Sequence, residues 1–131
     1  MVHIILTSHG GFAEGLVQSI EMLIGAQDHL ECVTFGEDMG MDELDEIFSE
    51  KIKDASADNQ YLIFCDIKGG TPFNVASRYS FKNDNVSVIY GMNLPLLITA
   101  LMETQSGEGG LEELTESLQK QMGEMMGVSE L

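Results

Sequence analysis

Four times along this chain a short apolar run closes on a turn and gives way to apolar residues at helical spacing. That alternation restricts the fold more than any other feature of the sequence. The runs are residues 2 to 7 (VHIILT), 29 to 35 (HLECVTF), 61 to 67 (YLIFCDI) and 86 to 91 (VSVIYG). Between them, Phe12, Leu16, Ile20 and Leu23 mark a helix that Gly25 stops. Leu44, Ile47, Phe48, Ile52 and Ala55 mark a second, over about residues 42 to 55, with Asp42 as its N-cap. A third starts at Pro72, with Thr71 as N-cap, and runs to about Tyr79; Asn93 and Pro95 open a fourth over about 95 to 104. Gly107 to Gly110 break the chain before a last amphipathic helix with Leu111, Leu114, Leu118 and Met122. Repeated βα units imply an α/β fold: a doubly wound, mainly parallel four-stranded sheet with helices on both faces and right-handed crossovers.

At 131 residues with 44% hydrophobic side chains, the chain is long enough for one buried core and short for two. A single domain over 1–131 is therefore expected. A formal net charge of -16, with only six Lys and Arg and no basic run, disfavours nucleic acid and anionic membrane as partners. No apolar window is long enough to insert in a membrane, and the first apolar run leads directly into fold pattern, so a cytoplasmic protein is expected. Cys32 and Cys65 fall inside strand runs and read as small hydrophobes. Three separated histidines and no Cys/His spacing provide no metal ligand set, and no cofactor is called for.

In open α/β sheets ligands gather beyond the carboxyl ends of the strands, where the winding direction reverses. For the strand order 2-1-3-4 that point lies between the first and third strands. His9 closes the first and Asp66 the third, so residues far apart in sequence are expected side by side. An Asp beside a His accepts Nδ1–H, fixes the tautomer and leaves Nε2 free as a nucleophile that can attack phosphorus. The Gly10-Gly11 turn and the Gly69-Gly70-Thr71 turn, each opening a helix, would offer backbone N–H groups and positive helix ends to the resulting anion. Thr71 can cap its own helix or bond a phosphoryl oxygen. His3, inside the first strand, and His29, beside Asp28, read as structural or solvated; Lys68 and Arg78 read as surface or packing residues.

Ser8-His9-Gly10, Asp66 with the Gly69 to Arg78 segment (GGTPFNVASR), and Gly91-Met92-Asn93-Leu94-Pro95 together carry a resemblance along essentially the whole chain. It resembles the enzyme IIA proteins of the mannose family of the bacterial phosphoenolpyruvate-dependent sugar phosphotransferase system. The resemblance implies that His9 is phosphorylated by the carrier HPr and drained by an enzyme IIB, that Asp66 orients it and that Thr71 contacts the phosphoryl group. It also implies a homodimer in which a fifth, antiparallel C-terminal strand swaps between subunits, a part that only the tail after Met122 could play. Two other readings stay open: a phosphocarrier serving a dihydroxyacetone kinase, and a non-catalytic module that senses phosphate or another anion.

Overall fold

The computed structural model describes residues 1–107 and 109–131. Strands β1 (Val2–His9), β2 (Leu30–Phe35), β3 (Gln60–Cys65) and β4 (Val86–Tyr90) alternate with helices α1 (Phe12–Ile24), α2 (Met41–Lys51), α3 (Thr71–Lys82) and α4 (Leu94–Gln105). Helix α5 (Leu111–Gln121) and a short 3-10 turn (Met122–Glu124) follow. All strand pairs are parallel, as the βα repeat requires, and the order is β2-β1-β3-β4, the one expected for the doubly wound sheet. Ile5 of β1 aligns with Glu31 of β2 and Ile63 of β3, and Ile63 aligns with Val88 of β4.

Successive strand residues face opposite layers. Ile4, Leu6, Leu62 and Phe64 pack under α1, α4 and α5 through Ile20, Leu97, Leu101 and Leu118. Ile5, Ile63 and Cys65 pack under α2 and α3 through Leu44, Phe48 and Val75. The central strands β1 and β3 are covered on both faces, which is why YLIFC reads as an uninterrupted apolar run. Burial pushes the Cys65 thiol up to about 12, with the Asp66 charge adding to the shift. Among the described residues no helix is long and apolar enough to cross a membrane.

The helix starts differ from the sequence expectation. Gly70 is the N-cap of α3, which puts Thr71 and Pro72 in its first turn. Gly40, rather than Asp42, caps α2, and its N–H is served by the Glu43 side chain at 3.5 Å. That helix ends at Lys51, four residues early, because Ile52 turns the chain and accepts the Ala55 N–H. Asn93 does cap α4, accepting the Leu96 N–H at 3.0 Å. Strand β3 stops at Cys65 because the next side chain, Asp66, takes the Ile67 N–H onto its own Oδ1. Of the glycine-rich break before α5, position 108 lies outside the described residues, while Gly107 and Gly109 hold φ of +71° and +77°. Residues 125–131 form no strand within the single chain; the segment mixes Gly, Ser and Glu with one β-branched residue.

Candidate functional site

His9 is the last residue of β1, and Asp66 follows the last residue of β3, its neighbour in the sheet. The topology therefore brings the two together across 57 residues of sequence. A single carboxylate oxygen, Asp66 Oδ2, accepts the His9 backbone N–H at 2.9 Å and the ring Nδ1–H at 2.8 Å. Because a carboxylate can only accept, Nδ1 carries a proton, and in the neutral ring this leaves the Nε2 lone pair bare. The ring is 46% exposed, whereas the Asp66 side chain is 12% exposed. Burial raises the Asp66 pKa, but hydrogen bonds from the His9 backbone, the His9 ring and the Ile67 N–H outweigh it. The carboxyl is held below the usual carboxylate range.

Two turns frame the ring. After His9 the chain passes through Gly10 at φ +60°, a conformation that L side chains resist. The Gly10 N–H is committed to the Phe35 carbonyl at 3.0 Å, so of the Gly10-Gly11 pair only Gly11 keeps an N–H for an anion. Helix α1 has no capping side chain at Gly11; instead Ser8, fully buried one residue before the histidine, accepts the Ala13 N–H at 2.8 Å. Phe35 closes β2 and meets the His9 ring edge-on, with centroids 5.7 Å apart.

The second turn is Gly69-Gly70, leading into α3. A Cβ built on Gly70 would lie 2.8 Å from His9 Cε1 and 3.5 Å from Nε2. Gly70 has φ of -77°, so backbone strain is no part of its role; the ring occupies the space a side chain would need. The first N–H groups of α3 lack partners within the helix, and the dipole adds positive potential there. The Thr71 hydroxyl, half-buried in that first turn, has no bond among the described residues and is free to meet a ligand. Gly69 stands at φ +85°, and its carbonyl accepts the Asn74 amide at 3.2 Å.

His9, Asp66, Gly70 and the start of α3 thus converge as the sequence suggests. Lys68 and Arg78 are engaged elsewhere: Lys68 Nζ lies 5.5 Å from the centroid of the Tyr90 ring, and Arg78 Nη2 donates to Met41 Sδ at 3.0 Å. His3 bonds Asn59 and stacks on Tyr61, with His29 edge-on to it, and all belong to the start of the sheet rather than to this end. The sequence assigns no individual role to Ser8, Phe35 or Asn74, although Ser8 and Asn74 stand in the two motifs that flank the site. Ser8 left a further signal, a hydroxyl just before a helix that lacks its own cap; Phe35 left none.

Comparison with known proteins agrees with this architecture. A fructose-specific EIIA component of Bacillus subtilis is 32% identical over 101 residues, covering 77% of this chain and 69% of that protein. A mannose-specific EIIAB component of Escherichia coli is 32% identical over the same length, but the matched part is only 31% of that protein. Among solved structures, an EIIA component from Streptococcus agalactiae superimposes with a TM-score of 0.88 at 25% identity over 98% of this chain and 97% of its own. A mannose/sorbose-specific IIA subunit from Enterococcus faecalis gives 0.86 at 27% over 98% and 95%. The family model described as "PTS system fructose IIA component" matches residues 3–125. That match runs from within β1 to the turn after α5 and takes in both glycine turns, His9 and Asp66, so the chain belongs to the mannose-type IIA family of the phosphotransferase system.

Proposed function

We propose that this phosphotransferase-system component is a phosphohistidine carrier that takes a phosphoryl group from HPr on His9 Nε2 and passes it to an enzyme IIB during sugar uptake. The observation that carries the reading is the double acceptance by Asp66 Oδ2, which fixes the tautomer of a half-exposed imidazole. In the first transfer the Nε2 lone pair attacks the phosphorus of the donor phosphohistidine in line. The Nε2–P bond forms as the donor N–P bond breaks, and the donor imidazole leaves with the bonding pair. Asp66 keeps Nδ1–H and balances the positive charge that the ring gains. In the second transfer an imidazole on enzyme IIB attacks the same phosphorus and His9 recovers its lone pair.

Charge in such a transfer spreads over the three equatorial oxygens, so donors around the phosphorus matter more than covalent help. The Gly11 N–H, the open N–H groups around Gly70 and Thr71 and the Thr71 hydroxyl supply them. Similar bonds are broken and made, and a set of neutral donors holds the group without trapping it. A half-exposed ring also suits a group handed from one protein surface to another.

Incubation with phosphoenolpyruvate, enzyme I and HPr should place one acid-labile, base-stable phosphate on the protein. His9→Ala should take up none; equal labelling of that variant sinks the assignment. The working form is a homodimer in which the tail after Glu124 pairs antiparallel with the outer edge of β4 in the second copy. Supporting this, a hollow of about 540 Å³ runs along that edge between Val86, Val88, Tyr90 and Met122, and the tail's Met126 and Val128 stand exposed.

A further inference from the structure

The turn that presses on His9 is itself held from one residue. The Asn74 side-chain amide donates to the Gly69 carbonyl at 3.2 Å, and the Asn74 backbone N–H donates to the Gly70 carbonyl at 2.9 Å. Asn74 therefore grips both glycines, one through each of its two donors. Two successive glycines have wide conformational freedom, and Gly69 already uses a positive φ of +85°. Among the described residues no other group donates to the Gly69 carbonyl. Yet Gly70 is where main chain meets imidazole, with a Cβ position only 2.8 Å from His9 Cε1.

We propose that Asn74 is a positioning residue for His9: its amide holds the Gly69-Gly70 turn against the ring, so that Nε2 keeps a single direction. The kinetic consequence rests on the carrier reading; the geometric one does not. Asn74 is exposed, and an exposed neutral hydrogen bond adds little to global stability. Its loss frees the turn while leaving the fold in place.

Two variants separate this role from a structural one. Asn74→Ala removes the donor. Asn74→Asp keeps the shape and adds an acid in the first turn of α3, which favours the helix, but its carboxylate cannot donate. The first readout is the pair of ¹⁵N shifts of the His9 ring in the unphosphorylated protein, well above the imidazole titration. In the parent protein one nitrogen is protonated and the other bare, with well-separated shifts; in both variants a ring no longer backed by Gly70 should swing off Asp66 Oδ2, which selects the tautomer only while the ring lies against it, and the shifts should draw together as tautomers mix. Melting temperatures should stay within about 2 °C. The rate constant for labelling by phosphorylated HPr should fall about tenfold at unchanged KM, because misdirection of an attacking atom costs rate rather than binding. Unchanged ring shifts in both variants overturn the proposal even if labelling slows, since Asn74 would then act on the phosphoryl group or the partner. Ring averaging in Asn74→Ala alone overturns it as well, marking loss of helix structure instead. If the ring responds in both variants but the parent is never labelled, the positioning role stands and the carrier reading falls.

Discussion

Asp66 Oδ2 accepts twice from His9 while Oδ1 accepts from Ile67, so the carboxylate is at once a tautomer lock and the end of β3. Its pKa lies below the unfolded value of about 4, which makes it a source of stability at neutral pH. For a depressed carboxyl that stability is complete above the unfolded pKa and disappears as pH falls through the folded one. Asp66→Asn should thus unfold at lower urea than the parent at neutral pH, and the gap should close as pH drops below about 4. The same variant should be labelled at least about tenfold more slowly, because the amide no longer selects the Nδ1–H tautomer. Thr7, two residues upstream of His9, poses the opposite case: it is fully buried and its hydroxyl has no partner among the described residues. In register it lies between Val33 and Cys65, and Thr7→Val should raise stability by about 1 kcal/mol in urea titrations with no change in slope.

Among the described residues, four of the five α-helices start from a glycine N-cap: Gly11, Gly40, Gly70 and Gly110. A glycine has no side chain to satisfy the open N–H groups; in α1, α2 and α5 a neighbouring side chain serves the helix start, while in α3 the first N–H groups stay open. Ser8 reaches Ala13, and Glu43 and Glu113 reach back to Gly40 and Gly110. Only α4 has a capping side chain of its own, in Asn93. Asn93→Ala should therefore cost about 1 kcal/mol of stability by urea denaturation. The same device explains where the sequence misled. Cap preference pointed to Thr71, one residue past Gly70, and to Asp42, two past Gly40, and in each case the glycine takes the position. The central strands were legible because burial on both faces leaves an apolar run, and His9 and Asp66 were legible because each interrupts one. Ser8, Phe35 and Asn74 contribute through reach across turns, a geometry that no periodicity reports.

At the scale of the molecule, the order β2-β1-β3-β4 creates one reversal point, between β1 and β3, and both halves of the site stand there. The parallel sheet follows from a fourfold βα repeat with right-handed crossovers, and the reversal from the doubly wound order expected for it. The C-terminal tail does not follow from it, because a segment without a partner in its own chain leaves no alternation to read. If residues 125–131 complete the sheet of a second copy, deletion after Glu124 should convert a dimer to a monomer in light scattering, with the parallel sheet intact by circular dichroism. A dimer that survives the deletion removes the tail from the interface.

On the proposed carrier mechanism the phosphoryl group sits on His9 Nε2 while Nδ1–H stays with Asp66. Long-range ¹H–¹⁵N correlation spectra of the protein phosphorylated through HPr should show a His9 ring with phosphorus coupled to Nε2 and a proton retained on Nδ1. Phosphorus coupled to Nδ1, or to the ring of His3 or His29, would rule this mechanism out.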